Sequence, residues 1–293
     1  MELWLGMSIL SVVGVVVGSL AILSLGRSWP LRARGDGRPI GGPALLLGAI
    51  VGGIPFFSSL PLPLVLGGIV ILCVGLVDDI VDLAPWQKLI GQGIAALLVV
   101  IGLSSRCSIL IAATPLSAFL GYAGTWLWVV GVTNAVNLID GLDGVVLGTL
   151  LAPLLVLLAI ALGNGNPGLT AVALGMIIGF YPFNRHRGRL LLGDTGAELL
   201  GYLLSLLILT NLSQDVGGWH IVPALFLVAV PLGDTAFAIL RRLAHGRSVF
   251  QGDKRHIHHR LAERFGVRKA VLILTFTSLI FSCGGWLLWR IGI

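Results

Sequence analysis

The sequence predicts an all-α polytopic membrane protein of about ten transmembrane helices. Three observations predict it. First, 56% of the 293 residues are hydrophobic and 11% are charged, against about a quarter charged in a soluble domain; mean hydropathy is +1.00. Second, the apolar residues gather into runs long enough to cross a bilayer, with short polar segments between them. Third, Lys and Arg concentrate in alternate polar segments, the pattern that orients a membrane protein. Together these exclude an ordinary cytosolic or secreted globular protein.

The spans fall at roughly 3–25, 43–59, 62–77, 88–104, 122–137, 144–163, 167–183, 196–212, 219–240 and 269–290. The first reads as a retained helix with its N-terminus outside. It is too long for a signal peptide, starts with Glu2 in place of a basic region, and has its arginines after it. The weakly apolar stretch from Arg106 to Phe119, interrupted by Pro115, reads as an outer hairpin or re-entrant turn. Pro231 predicts a kink in the ninth span that frees backbone carbonyls. With no internal repeat and no soluble domain, residues 1–293 read as a single integral membrane domain. Cys73, Cys107 and Cys283 lack metal-ligand spacing and suggest no disulfide framework.

Alternation puts segments 26–42, 78–88, 134–143, 184–195 and 241–269 on one face. Every Lys and Arg except Arg106 and Arg290 lies there, so that face is cytoplasmic, both termini are outside, and the expected location is the cell (inner) membrane. The pI of about 9.8 then reflects orientation and phosphate contacts, and nucleic acid is not an expected partner. The acidic residues follow the basic ones: all but Glu2 and Asp215 sit in or beside the same segments. Orientation alone requires no Asp, and a carboxylate at bilayer depth is costly and kept for function.

Five clusters lie on that face. Asp78, Asp79 and Asp82, followed by Pro85 and Lys88, end the third span. Asp78 and Asp82, four apart, repel on one helical face unless a cation or the Lys88 ammonium lies between them. Asn134, Asn137, Asp140, Gly141, Asp143 and Gly144 end the fifth. Asn137 with Asp140, and Asp140 with Asp143, are spaced to share a face, and the glycines let the backbone turn tightly around a ligand. Asn, Asp and Gly are ordinary turn formers, but a turn needs no two carboxylates and two asparagines beside a membrane. Such oxygens suit Mg²⁺, which binds through one or two protein oxygens plus substrate phosphates.

Gly193-Asp194-Thr195-Gly196 enters the eighth span, with Asp194 beside a helix N-terminus that favours phosphate or a metal-bound carboxylate. Thr195 and Glu198 have capping-box spacing, which makes Glu198 structural. Arg185, His186, Arg187 and Arg189 serve equally well as phosphate contacts or as orienting charge. Asp234, three residues after Pro231, projects near the inner mouth. The last cluster runs from Asp253 through Lys254, Arg255, His256, Ile257, His258 and His259 to Arg260. Three histidines without a partner Cys make a weaker zinc site than a cationic cradle for a diphosphate.

In this order the clusters resemble the polyprenyl-phosphate N-acetylhexosamine-1-phosphate transferase family. The match begins at Arg38-Pro39-Ile40-Gly41-Gly42 and takes in Asp78 to Pro85 with Lys88 and Gln92. It continues through Asn134 to Gly144, Gly193 to Gly196, Pro231 with Asp234-Thr235, and Asp253 to Leu261, nearly the whole chain. The resemblance implies transfer of a sugar 1-phosphate from a UDP-sugar to polyprenyl (undecaprenyl) phosphate. UMP is released in this first membrane step of cell-wall or surface polysaccharide synthesis. The implied partners are those two substrates and the membrane, and a homodimer is allowed.

By matching position the resemblance implies Asn137 and Asp194 as ligands of Mg²⁺, with Mn²⁺ a substitute. Asp78 and Asp79 match the pair that handles or deprotonates the lipid phosphate, and Asp140 and Asp143 the catalytic nucleotide and metal region. Lys88, Asn134, Asp234, Arg255, His256, His258 and His259 match substrate-binding positions. Ile257 between His256 and His258 is more similar to the N-acetylglucosamine-1-phosphate branch than to the peptidoglycan branch, whose three histidines are consecutive. The chain departs from the family pattern at Ala197, where Ser is usual, and at Arg185 to Gly188, which replace a proline-containing stretch. Ten helices is one fewer than in the closest bacterial branch. Direct attack by the lipid phosphate and a covalent Asp intermediate are both compatible with these residues. The alternative, a cation- or proton-coupled transporter, uses intramembrane carboxylates too. It predicts them at helix midpoints in repeated halves, and here they cluster at inner ends.

Overall fold

The computed structural model describes residues 2–25, 28–31, 38, 40–56, 60–103, 115–185, 189–212, 221–246, 248 and 255–292. Among these are twelve α-helices and no strand: α1 (Glu2–Leu25), α2 (Gly42–Gly53), α3 (Leu62–Val81), α4 (Pro85–Leu103), α5 (Pro115–Ile139) and α6 (Val145–Gly163), then α7 (Gly168–Asn184), α8 (Gly193–Leu212), α9 (Ile221–Leu227), α10 (Ala229–Ala244), α11 (Ile257–Phe265) and α12 (Val267–Arg290). Pro39, His186, Arg187, Gly188, Asp215, Asp253, Lys254 and residues 106–114 of the expected outer hairpin lie outside the described residues.

The protein is a multi-pass, all-helical membrane protein, and a helix lies within each of the ten expected spans. Among the described residues, α1, α3, α4, α5, α6, α8 and α12 are long and apolar enough to cross a membrane, and α9–α10 adds an eighth crossing if the two form one span. At 12 and 17 residues, α2 and α7 fall short of the roughly 20 that a full crossing needs. α9 and α10 meet at an 84° bend. Pro231 has no N–H to return to the Leu227 carbonyl four residues back, so the kink expected from the sequence is here a break at Val228. The reading of 253–260 as a loop is corrected: from Ile257 the chain forms the short helix α11, with His258 buried on it.

α8 is the central element, packed against α2, α3, α5, α6 and α7, and nearly every residue from Thr195 to Leu212 is buried. Its crossing with α3 depends on Gly75, where a Cβ would stand 2.6 Å from Thr195 Cα and 2.8 Å from its nitrogen. A buried serine ties α1 to α7, Ser11 Oγ donating to the Val172 carbonyl at 3.0 Å. Residues at the start of α8 and at or just beyond the ends of α3, α5 and α7 line one cavity, as does Ile40 just ahead of α2. α1 runs antiparallel to α2, and α12 leaves the cavity end beside α6, so the start of α1 and the end of α12 lie toward the opposite end.

Candidate active site

α3 stops where Asp82 adopts a left-handed conformation, φ 64°, while its N–H still reaches the Asp78 carbonyl at 3.0 Å. This sets Asp78 and Asp79 on the last helical turn at the cavity. Asp78 Oδ1 accepts the Leu83 N–H at 2.6 Å, and Oδ2 accepts from the Lys88 ammonium. Lys88 also donates to Asp194 Oδ1 at 2.7 Å. The expectation that Lys88 separates two carboxylates is met, but with a different partner. Asp194 of α8 takes the place expected for Asp82, because the α3–α8 crossing brings in a residue more than a hundred positions away.

Asp79 faces the N-terminus of α8. Its carboxylate accepts the Asp194 N–H at 2.8 Å, the Thr195 N–H at 3.1 Å and the Thr195 hydroxyl at 2.6 Å. Gly193 makes this approach feasible: φ is 72°, and a Cβ there would stand 2.9 Å from Asp79 Oδ1. The capping box expected from Thr195 and Glu198 is therefore not formed. The cap comes from α3, and Glu198 is buried, accepting from Gln92 Nε2 at 3.1 Å. Because the Asp194 and Thr195 N–H groups are taken, α8 has fewer donors left to offer a phosphate. We expect Asp79→Ala to lower the unfolding midpoint in detergent, by a loss of about 1–2 kcal/mol, with a smaller loss for Asp79→Asn, which keeps one acceptor. Unchanged stability in Asp79→Ala would refute the capping role.

On the other wall, Arg38 Nη1 donates to both oxygens of Asp143 at 3.0 and 2.8 Å. Asn184 Oδ1 accepts the Gly144 N–H at 3.0 Å, and its Nδ2 donates to the Leu190 carbonyl at 3.1 Å. This ties the Asp140–Gly144 turn to the segment leading into α8. Asn137 and Asp140 line the cavity between these walls, and the Asn137 amide lies beside Asp194. Burial pushes the Asp140 carboxyl well above the ordinary carboxylate range, and the charges of Asp194, Asp143 and Asp79 push it further.

The cavity, about 440 Å³, is thus lined by Asp78, Asp79, Asp82, Asp140, Asp143 and Asp194. Of these, Asp143 is paired with Arg38, Asp79 with a helix end, and Asp78 and Asp194 with one Lys88. No cationic side chain is paired with Asp140 among the described residues. Carboxylate and amide oxygens lining one cavity with so little positive charge are the donor types that suit a hard divalent cation such as Mg²⁺.

The histidine cluster stands on the outer side of the Asp140–Asp143 turn. A Cβ on Gly141 would meet the rings of His258 and His259, the latter at 2.9 Å. Asp234 organises the cluster: it accepts from His256 Nδ1 at 2.8 Å, His258 Nδ1 at 3.0 Å and the Ile257 N–H at 2.5 Å. Asp234 and these two histidines are the described group whose atoms lie close enough to hold a metal. Two ligands on a tetrahedral zinc at 2.0–2.1 Å are separated by roughly 3.3 Å, and the observed distances are those of hydrogen bonds. Burial, followed by the charges of His258 and His256, holds His259 below the ordinary histidine value.

The predicted residues thus fall into two groups. Asp78, Asp79, Asn137, Asp140, Asp143 and Asp194 line the cavity with Lys88 reaching between them, while Asp234, His256, His258 and His259 form the adjoining cluster. Asn134, one turn before Asn137 on α5, does not line the cavity, and neither does Arg255, whose carbonyl accepts from Arg241. Two lining residues, Arg38 and Asn184, escaped assignment from sequence. Arg38 opens the Arg-Pro-Ile-Gly-Gly motif, which was its signal; Asn184 had none.

Comparison with known proteins follows this geometry. The glycosyl transferase family 4 model matches residues 62–212, the stretch that carries all six cavity aspartates. A probable undecaprenyl-phosphate N-acetylglucosaminyl 1-phosphate transferase of Bacillus subtilis is 34% identical over 254 residues, covering 83% of this chain and 71% of its own length. An undecaprenyl-phosphate alpha-N-acetylglucosaminyl 1-phosphate transferase of Thermotoga maritima is 31% identical over 240 residues, 80% of this chain and 75% of its own. A decaprenyl-phosphate N-acetylglucosaminephosphotransferase of Mycobacterium leprae is 32% identical over 258 residues, 78% of this chain and 64% of its own.

Proposed function

The chain belongs to glycosyl transferase family 4, the sugar-phosphate transferases, and from that membership we propose that it moves an N-acetylhexosamine 1-phosphate, N-acetylglucosamine 1-phosphate foremost, from a UDP-sugar to polyprenyl phosphate. An oxygen of the acceptor phosphate forms a bond to the sugar-bearing phosphorus of the donor. The bond from that phosphorus to the UMP oxygen breaks, and UMP leaves. The product feeds cell-wall or surface polysaccharide synthesis. The observation that carries this reading is the position of the cavity: six aspartates and one shared lysine at the end of an apolar bundle. A lipid phosphate whose tail stays in hydrocarbon can meet a water-soluble nucleotide there. The positive-inside pattern supports a cytoplasmic position for that end.

Asn137, Asp140 and Asp194 would hold Mg²⁺, which neutralises charge on the diphosphate and its leaving oxygen when bound. Lys88 places its ammonium at the junction of Asp78 and Asp194, where it steers a phosphate oxygen to the same spot. Asp78 takes the acceptor's proton when the lipid phosphate arrives monoprotonated, and Asp79 holds α8 so that Asp194 stays in register. Arg38 fixes the Asp143 side of the cavity. His258 and His259 flank the Asp140–Asp143 turn, where they bound the space left for the sugar and nucleotide.

The reading is tested with purified protein in lipid nanodiscs, Mg²⁺, polyprenyl phosphate and a panel of UDP-sugars. Release of UMP with UDP-N-acetylglucosamine ahead of the other donors is expected. Absence of UMP with every donor, from protein that unfolds cooperatively, would overturn it.

A further inference from the structure

One turn deeper than Lys88 on α4 and Asp194 on α8 stand Gln92 and Glu198. Neither lines the cavity, and both are 0% exposed. Gln92 Nε2 donates to Glu198 Oε1 at 3.1 Å. The other two oxygens of the pair, Gln92 Oε1 and Glu198 Oε2, are buried without a hydrogen-bond partner. An ionised carboxylate and an amide oxygen are both acceptors only, so an ionised Glu198 leaves both unmet. The cation bearing on it, Lys88, is already shared by Asp78 and Asp194, so an ionised Glu198 buried in the bundle is an expensive arrangement. A single proton on Glu198 Oε2 turns that atom into a donor, and Gln92 Oε1 is the open acceptor on the side chain that Glu198 already meets.

From these two unmet acceptors we infer that Glu198 carries a proton at neutral pH, closing a two-hydrogen-bond acid–amide pair with Gln92, and that this neutral pair is a positioning floor beneath Lys88. The charged groups bearing on Glu198 are Lys88 of α4, Asp194 of α8 and Asp78 of α3. While Glu198 is neutral, Lys88 serves Asp78 and Asp194 alone. Once Glu198 ionises at alkaline pH, a third carboxylate competes for the same ammonium and draws it away from the cavity. The pair touches no reacting atom, so its effect on turnover passes through Lys88. That effect rests on the transferase reading above; the protonation state does not.

Infrared difference spectroscopy in nanodiscs decides the protonation. Wild type is expected to show the carbonyl band of a protonated carboxylic acid at neutral pH, and Glu198→Gln to lack it. Glu198→Gln rebuilds both hydrogen bonds, because its own Nε2 donates to Gln92 Oε1, and is expected to fold. Gln92→Leu is the second variant: it keeps the acid, removes its partner, and is expected to shift the band to the position of an unbonded carboxylic acid. Spectra of wild type and Glu198→Gln that coincide in this region at neutral pH overturn the protonation, as does an unmoved band in Gln92→Leu. With UMP release as readout, the alkaline loss of activity is expected at higher pH in Glu198→Gln than in wild type. Superimposable alkaline limbs overturn the positioning role. If neither protein releases UMP from any donor, the transferase reading fails while the infrared result still stands.

Discussion

Asp194→Asn is expected to lower turnover by about 10²–10³-fold and to raise the Mg²⁺ concentration needed for half-maximal activity. The residue combines two roles that its neighbours hold singly. It accepts from Lys88 Nζ at 2.7 Å, and it lines the cavity together with Asn137 and Asp140. Asparagine keeps the shape and one acceptor oxygen but removes the charge, so the cap that Asp79 gives to the Asp194 and Thr195 N–H groups survives. Activity should therefore fall without a matching loss of thermal stability. The same site predicts a pH effect. Burial and neighbouring carboxylates raise the Asp140 carboxyl, so without metal it holds its proton to higher pH than an ordinary Asp. A divalent cation must displace that proton; apparent Mg²⁺ affinity should therefore weaken as pH falls, and less so in Asp140→Asn. Wild-type turnover and metal dependence in Asp194→Asn would exclude Asp194 from the metal site.

Much of this arrangement was legible in the residues, for identifiable reasons. Hydrophobic run length and the side taken by Lys and Arg depend only on composition and order, so the ten helical segments and the shared face of the acidic clusters could be read directly. Which carboxylate meets Lys88 depends on a helix crossing. Asp82 looked like the partner because it lies four residues from Asp78, whereas Asp194 becomes the partner only because Gly75 lets α3 lie against Thr195. The capping-box reading of Thr195 and Glu198 failed for the same reason: local spacing competes with a tertiary carboxylate, and Asp79 brings both oxygens to the helix end. Asn184 was invisible because its role is to bond the backbone of two loops, Gly144 and Leu190, and no motif marks such a contact. Helix α11 was missed because its nine residues are short and their charged and histidine side chains read as a cationic segment between spans; Asp234, receiving the Ile257 N–H, starts it from another helix.

Lys88→Met should abolish most turnover while leaving the cation site occupied, a combination that separates its role from that of Asp194. The ammonium lies between Asp78, whose side chain is 3% exposed, and Asp194. Removing it leaves the buried Asp78 carboxylate close to the partly exposed Asp194, and solvent at Asp194 keeps the cost below the roughly 3–5 kcal/mol of a fully buried pair broken from one side. Three effects follow. Stability falls in metal-free buffer. Added Mg²⁺ restores part of it, because the extra negative charge now attracts the cation more strongly, so the half-saturating Mg²⁺ concentration stays level or drops. Turnover stays low, on the order of 10²-fold or more below wild type, because the cation replaces the charge but not the positioned donor. The double variant Asp78→Asn, Lys88→Met removes both partners and should regain stability relative to Lys88→Met alone without regaining activity. Lys88→Arg tests geometry: its planar fork does not reproduce a point charge shared by two carboxylates from different helices, and intermediate activity is expected. Turnover of Lys88→Met near the wild-type rate would mean that the lysine only balances charge, and the phosphate would then have to be steered by Arg38 and the metal alone.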